Sequence, residues 1–254
     1  MRSLPPLDLH AHIDAGIEAS ELVALQASVF AVTRSLDEAS LALRRADPTT
    51  VWGVGCHPGL VGAQKSFATE RFAELIESTP FVGEIGLDGK SRVPMETQVA
   101  TFRSILEVLG RKPRISTIHS YAARDRVVAA LADIRPRGAV LHWWLGGPDE
   151  TDRAVGLGCY FSVNASMLKR LDLLKSIPLE RILTETDHPF GDRGSKSIHR
   201  PGAVGDVERS LAELYGLPVE AVRRQLWQNL RSLTLEVGVG AKLPQEFRRH
   251  LAAA

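Results

Sequence analysis

The chain has 254 residues, of which 44% are hydrophobic and 6% aromatic, enough for one large domain with a mostly aliphatic core. Its 31 basic and 30 acidic residues give a net charge of +1, which excludes a global basic field for holding nucleic acid. Two cysteines do not suggest a disulfide framework, and no apolar run reaches the roughly 20 residues of a membrane span. The opening MRSLPPLDLH has no signal-peptide h-region, so we expect a cytoplasmic protein without a membrane partner.

Eight short apolar or β-branched runs alternate with segments of helical periodicity. In chain order the runs are LDLHAHI, SVFAVTR, VWGVGCH, FVGEIGL, ISTIHSY, AVLHWW, CYFSVNA and ILTETDHP. Apolar steps of three and four predict helices over residues 94–110 and 219–233. Strands that alternate with helices predict a parallel sheet, and eight units predict a single α/β chain folded as a (β/α)8 TIM-type barrel. A doubly wound open sheet is the alternative.

The barrel is expected to occupy residues 1–238, followed by a peripheral C-terminal tail over residues 239–254. Cys56 is expected late in the third strand and Cys159 early in the seventh, toward opposite ends of the barrel. A strand of five residues spans about 16 Å, whereas a disulfide requires Cα atoms within about 7 Å. We therefore predict that these two cysteines do not pair.

The first run carries an unusual set of polar residues. Asp8, His10 and His12 alternate with apolar residues, so in a strand all three point to one face. Such side chains are costly to bury without partners. We expect the two histidines to lie side by side toward the barrel axis and hold one ion, with the deeper Asp8 orienting one of their rings.

Five later strands also carry a titratable residue at or near their ends: His57, Glu84, His119, His142 and Asp187. Any one of them alone is ordinary, since a lone histidine usually belongs to the core or the surface. Strand C-termini form the active-site rim of a (β/α)8 barrel, so all five should converge on one mouth with the opening histidine pair. Imidazoles with carboxylates suit divalent metals such as zinc and manganese, and two ions sharing a carboxylate can activate water against phosphorus.

These motifs resemble those of the TatD-like metal-dependent hydrolases of the amidohydrolase superfamily. LDLHAHID is similar to the family's opening D-x-H-x-H motif. The segments GCHP, VGEIGLD, IHSY, LHWWLGG, LTETDHPF and QNLRSL then follow in the family's order. The resemblance implies a (β/α)8-type fold and a deoxyribonuclease with 3′–5′ exonuclease character.

The resemblance also implies two divalent ions, which could be zinc, manganese or magnesium. The six implied ligands are His10, His12, Glu84, His119, His142 and Asp187. The first two histidines and Asp187 would hold one ion, the last two histidines would hold the other, and Glu84 would bridge them. Glu84 and Asp187 would be catalytic, with Asp187 steering the proton of the attacking water. His57 would lie in the substrate cleft near phosphate.

A narrower resemblance joins VLHWW, GCYFSV and LTETDHPF to the TatD-type component of the Qat antiphage cluster, which implies a role in defence beside other proteins of that cluster. The chain also departs from the family. Tyr121 stands where relatives have an arginine, the sixth-strand motif reads His-Trp-Trp-Leu-Gly, and GDRGSKSIHRPG is only loosely like the family's arginine-rich loop. These changes affect substrate groups and leave the metal ligands intact.

Two regions are candidates for substrate contact. Trp143 and Trp144 alternate in direction, so only one can face the mouth; we expect Trp143 to stack on an unpaired base. The loop beyond the eighth strand is expected to contact phosphate. Its candidates are Arg193, Lys196, His199 and Arg200.

The leading interpretation is a metal-dependent phosphodiester hydrolase acting on single-stranded DNA or another nucleic-acid end. One alternative is a two-metal amidohydrolase that opens a small cyclic amide or lactone. Another is a non-catalytic, metal-stabilised subunit of a defence complex. The basic loop favours a nucleic-acid substrate over a lactone. Nothing in the residues distinguishes an enzyme from a non-catalytic subunit, because all the metal ligands are present.

Overall fold

Eight parallel strands follow the eight apolar runs, as predicted. The computed structural model describes residues 3–194 and 198–254. Its strands are β1 (Leu7–His12), β2 (Ser28–Val32), β3 (Thr50–Trp52), β4 (Phe81–Gly86), β5 (Ile115–His119), β6 (Ala139–His142), β7 (Tyr160–Val163) and β8 (Ile182–Thr184). β1 to β3 form one hydrogen-bonded sheet and β4 to β8 form another, and in each the strands lie in chain order.

Two seams join these sheets into a barrel. Beyond β8, the Asp187 N–H donates to the carbonyl of His10 at 2.8 Å, and the His12 N–H donates to the carbonyl of His188 at 3.0 Å. At the other seam the chain after β3 runs along β4, where Val54 pairs with Val82. The predicted barrel is confirmed. The doubly wound alternative is wrong, because that fold reverses its strand order at a switch point and here the last strand lies beside the first.

Helices surround the barrel. Those in the described residues are α1 (Ala19–Ala24), α2 (Leu36–Ala42), α3 (Val61–Lys65), α4 (Thr69–Leu75), α5 (Met95–Arg111), α6 (Arg124–Ile134), α7 (Pro148–Gly156), α8 (Leu171–Lys175), α9 (Gly205–Tyr215), α10 (Val219–Val237) and α11 (Gln245–Ala253). α5 and α10 confirm the two predicted helices. Within residues 3–194 and 198–254, no helix is both long enough and apolar enough to cross a membrane.

The C-terminal helix closes the N-terminal end of the barrel. α11 buries Phe247 completely, and its ring packs edge-on against Phe30 of β2 with 5.3 Å between the centroids. Leu251, one turn later, and Trp227 of α10 belong to the same apolar cluster as the inward side chains of the strands. The division at residue 238 stays a prediction, and within the segment 239–254 the side chains of Phe247 and Leu251 are buried against the barrel.

Two strands are shorter than their sequence runs. β3 ends at Trp52 and β8 at Thr184, so His57 and Asp187 lie beyond the strands that they were expected to close. Asp187 has a φ of 45°, a left-handed conformation that cannot continue a ladder. After β3 the backbone at Gly55 lies very close to the backbone of Thr33. A Cβ at this glycine would lie only 1.8 Å from the Thr33 carbonyl oxygen. His57 and Asp187 nevertheless stay at the C-terminal mouth.

The two cysteines do not pair, as predicted. Cys56 follows β3, Cys159 immediately precedes β7, and both are buried free thiols. Burial raises the pKa of each thiol to about 12, so both are held as neutral thiols at physiological pH.

Candidate metal centre

Two histidines and an aspartate meet at the end of β1. His10 and His12 are two residues apart, so the strand turns both rings to the same side. Their Nε2 atoms lie 3.7 and 3.4 Å from Asp187 Oδ1, although Asp187 comes from the far end of the barrel sequence. The His10 side chain is fully buried and that of His12 is slightly exposed, so this group opens to the mouth at His12.

The carboxylate of Glu84 lies between two sets of imidazoles. Its Oε1 atom is 2.8 Å from His119 Nδ1 and 3.0 Å from His142 Nε2. Its Oε2 atom faces the other way, 3.4 Å from His12 Nε2 and 3.4 Å from His57 Nε2. One carboxylate therefore presents one oxygen to each side of the centre, which is the arrangement that a bridging ligand requires.

The electrostatics of this centre favour positive charge. Burial alone would raise the pKa of Glu84, but the charge of His57 and the hydrogen bonds of His119 and His142 hold that pKa well below its usual range. Burial likewise would lower the pKa of His142, yet the charge of Glu185 raises it well above the usual value. In contrast, burial and the neighbouring His142 keep the pKa of His10 well below its usual value, so this imidazole is neutral and can donate a lone pair.

Several polar atoms of the centre are buried without a hydrogen-bond partner. They are His10 Nδ1 and Nε2, His12 Nδ1, Glu84 Oε2, His119 Nε2 and His142 Nδ1. Unsatisfied buried groups are costly, and a cation bound by the lone pairs of such groups would offset that cost. Separations of 3.4 to 3.8 Å are close to the ~3.3 Å between ligand atoms of a tetrahedral ion with bonds of about 2.0–2.1 Å. The residues fit a divalent cation.

The described residues contain three groups of side chains whose ligand atoms lie within 4.8 Å of one another, and two of the groups share His10. They are His10 with His12 and Asp187, His57 with Glu84 and His119, and His10 with His142 and Glu185. The first is one of the implied ion sites, the second brings His57 among the ligands, and the third adds a carboxylate that the sequence did not single out. The six predicted ligands lie at one centre, and their roles stay predictions.

Glu185 is the residue that sequence reasoning missed. It is fully buried, and its Oε1 atom lies 3.6 Å from His142 Nδ1. The Ser162 hydroxyl, the Asn164 amide and the Trp143 N–H all donate to the same carboxylate. A signal was available, because Glu185 and Asp187 alternate in the segment TETD and alternate residues share a face.

Replacing Glu185 with glutamine is expected to weaken divalent-metal affinity by about 10- to 100-fold, the usual effect of losing a partner that orients a metal-binding histidine. The neutral amide keeps the size of the side chain but removes the charge that faces His142. Competition with a chromogenic chelator measures the apparent dissociation constant. Glu180→Gln, an exposed position, is the matched control. An unchanged constant in Glu185→Gln would show that the carboxylate does not orient His142.

Asp8 has a different role from the one expected. Its carboxylate is fully buried but bonds to the segments after β8 rather than to a histidine ring. Oδ1 accepts the Thr186 N–H at 2.8 Å, and Oδ2 accepts the Thr186 hydroxyl at 2.6 Å and the Gly202 N–H at 2.8 Å. Asp8 therefore holds the segment after β8 against β1 and so positions Asp187, because it bonds to the residue that precedes Asp187.

The two tryptophans separate as expected. Trp144 is fully buried and donates its indole N–H to the Thr151 hydroxyl at 2.9 Å. Trp143 is partly exposed and lines a cavity of about 370 Å³ beside His119 and His142. Its stacking role stays a prediction.

The basic loop lies beyond β8, and its described cations are exposed. Arg193 extends over the ring of Phe190 at 5.8 Å from the centroid, and Phe190 in turn contacts the ring of His12 edge-on at 5.5 Å. His199 Nδ1 lies 3.6 Å from a carboxylate oxygen of the buried Asp192. Arg200 is exposed, and Lys196 lies outside the described residues. Among the described cations of the loop, Arg193 is therefore linked to the metal centre, through Phe190 and His12.

Comparison with known proteins decides the family. The family model described as TatD related DNase matches residues 7–234. This chain belongs to the TatD-related DNase family. The match includes every strand and all six predicted ligands, so the family resemblance of the sequence motifs is confirmed.

The TatD-family assignment agrees with individual relatives. The chain is 28% identical over 253 residues to the "Uncharacterized metal-dependent hydrolase YjjV" of Escherichia coli K12, covering 89% of this chain and 96% of YjjV. It is also 28% identical over 212 residues to the "3'-5' ssDNA/RNA exonuclease TatD" of Erwinia billingiae, covering 76% and 80%. The crystal structure of YjjV superposes with a TM-score of 0.78 at 23% identity, covering 89% and 96%. The TatD-family chain is a metal-dependent hydrolase with the barrel fold of its relatives.

Proposed function

We propose that this TatD-family hydrolase removes nucleotides from a free end of single-stranded nucleic acid, using two divalent ions held across Glu84. The observation that carries the proposal is the placement of the two Glu84 oxygens, one toward His119 and His142 and the other toward His12. A centre with a shared carboxylate suits an in-line displacement at phosphorus. The relative from Erwinia billingiae bears the name of an exonuclease on single-stranded DNA and RNA.

Each residue then has a part in phosphodiester hydrolysis. Two divalent ions, of zinc, manganese or magnesium, would be held by His10, His12, Glu84, His119, His142 and Asp187 and would supply Lewis acidity. Water adds its oxygen to phosphorus, the bond to the ester oxygen breaks, and the proton of the water ends on that leaving oxygen. Asp187 Oδ1, at the mouth beside His12, is placed to accept the proton in transit. The His10 ring, whose pKa is held well below its usual value by burial, stays neutral and does not compete for that proton.

The decisive experiment is metal analysis of the purified protein together with a substrate panel. The panel contains linear and circular single-stranded DNA, RNA, duplex DNA, a lactone and a cyclic amide, with manganese, magnesium or zinc supplied. We expect linear single strands to be cut and circular ones spared. A parallel preparation of Glu84→Gln excludes a contaminating nuclease. Hydrolysis of the lactone or amide without cleavage of nucleic acid would overturn the proposal.

The salt dependence should be shallow. With a net charge of +1, only two or three loop cations are available to phosphate, so log K should fall with log salt at a slope near −2, at about −0.7 per contact on single strands. The double variant Arg193→Ala/Arg200→Ala should reduce the slope to about −0.7 and leave metal content intact. The matched control is Arg248→Ala/Arg249→Ala on α11, at the opposite end of the barrel. An unchanged slope in the loop variant would exclude the loop as the phosphate site.

A further inference from the structure

Two clefts flank the metal centre on opposite sides. The histidine-side cleft, of about 370 Å³, begins at His119 and His142 and is walled by Tyr121, Arg124, Trp143 and Leu145. The acidic cleft, of about 560 Å³, begins at His12 and is walled by Arg34, Phe190 and three carboxylates. A substrate bound at the centre can therefore bury its end on either side.

The charges of the clefts differ. The acidic cleft contains Asp14, Asp37 and Glu38 against the single cation Arg34. The histidine-side cleft contains Arg124, whose Nε lies 3.4 Å from Glu150 outside the lining, and no carboxylate among its lining residues. A phosphate-bearing group is therefore repelled more strongly by the first cleft than by the second. The anionic substrate should therefore bury its end beside His119 and His142.

The wall of the histidine-side cleft is built with some strain. Trp143 has a φ of 41°, a left-handed conformation that is uncommon for a bulky side chain. Its N–H donates at 3.0 Å to Glu185, the buried carboxylate behind His142. With Trp144 anchored in the core, this bond fixes the direction in which Trp143 leaves the strand end. Strain held by a buried carboxylate indicates a positioned ring rather than an incidental surface aromatic.

We propose that the histidine-side cleft is a subsite for the terminal nucleoside of the strand, with its base against Trp143 and Tyr121; this rests on the proposed function. A volume of about 370 Å³ lies at the lower end of the roughly 300–1,000 Å³ of ligand sites, which suits one nucleoside and excludes a chain of them. Indole and phenol rings stack on bases of any sequence. Tyr121 is 53% exposed, so its ring is free to take part.

The path of the remaining strand follows from this placement. With the end in the histidine-side cleft, the scissile phosphate lies over Glu84 and the strand continues past Asp187. The next cation on that side is Arg193, which is exposed above the Phe190 ring at the edge of the acidic cleft, so the strand passes along this edge without entering the cleft. Arg193 thus serves the second phosphate, and the terminal nucleotide is the one released.

The test compares oligonucleotides with a base or an abasic residue at the terminal position. For the metal-loaded enzyme, removing the terminal base should raise KM by about 5- to 150-fold, the usual worth of one stacked base, with a smaller change in kcat. Removing the base at the third position should change KM little. Trp143→Leu and Tyr121→Leu should each reduce this discrimination, and Trp143→Phe should restore part of it. Leu41→Ala, the control at the exposed rim of the acidic cleft, should keep the discrimination intact.

A fluorescence measurement separates failure of the subsite from failure of the proposed function. Terminal 2-aminopurine should be quenched on binding to the metal-loaded protein, and 2-aminopurine at the third position should not, whether or not the strand is cut. The subsite proposal is wrong if the enzyme cleaves base and abasic ends with equal KM. It is also wrong if the discrimination persists in both leucine variants. Either result would leave the proposed nuclease function intact. Absence of both cleavage and terminal quenching overturns both.

Discussion

Replacement of Glu84 by glutamine is expected to lower turnover by more than about 100-fold, since even outer partners of metal ligands are worth 10- to 100-fold. The amide keeps the shape of the side chain but removes the charge that faces His119 and His142 on one side and His12 on the other. Both halves of the centre depend on that carboxylate, so the content of both ions should fall together. Elemental analysis of the purified variant, with single-strand cleavage assays, measures the two effects.

The matched control for Glu84 is Glu96→Gln, an exposed carboxylate in the first turn of α5. It should keep full activity and metal content. Loss of one equivalent of metal in Glu84→Gln, with the second retained at full occupancy, would contradict a bridging carboxylate. Retention of both metal and activity would refute the shared centre altogether.

Replacement of Phe247 by alanine is expected to lower the free energy of unfolding by about 3–5 kcal/mol, the usual cost of removing a buried aromatic ring. The ring is fully buried between Phe30 of β2 and Trp227 of α10. Its removal leaves a cavity at the closed end of the barrel, far from the mouth. Equilibrium denaturation measures the change.

For Phe247, the control is Leu235→Ala on α10, where the side chain is 72% exposed and the cost should stay within about 0.5 kcal/mol. Metal content of folded Phe247→Ala should equal that of the parent, because the ring contacts no residue of the centre. A loss below about 1 kcal/mol would mean that α11 is the peripheral element expected from the sequence.

The positions of the histidines could be predicted because they depend on local periodicity. Alternation in β1 is enough to place His10 and His12 on one face, and the ends of β5 and β6 are marked by His119 and His142 themselves. In a barrel the C-terminal ends of the strands lie together at the mouth, independently of the loop conformations.

The rest depended on contacts between distant segments. The role of Glu185 is set by Ser162 and Asn164, which only the pairing of β7 with β8 brings near it. Asp8 bonds to Thr186 and Gly202, nearly 200 residues away, so no local pattern reveals its partner. In α11 the only large apolar residues are Phe247 and Leu251, one turn apart, which is a weak sequence signal. Their contribution to the core follows from their contact with the open N-terminal end of the barrel.

The seam between β1 and the segment after β8 has a consequence for synthesis on the ribosome. β1 can pair with β2 as soon as both have been synthesised. The other edge of β1 pairs with residues near His188, and Asp8 accepts a hydrogen bond from Gly202, so both contacts form only later. Until those residues emerge, one edge of β1 stays open, and exposed strand edges invite pairing with other chains. His10 and His12 leave the ribosome with the first strand, yet they acquire Asp187 only after three quarters of the chain has been made. The group of His10, His12 and Asp187 is thus one of the last features that the growing polypeptide completes.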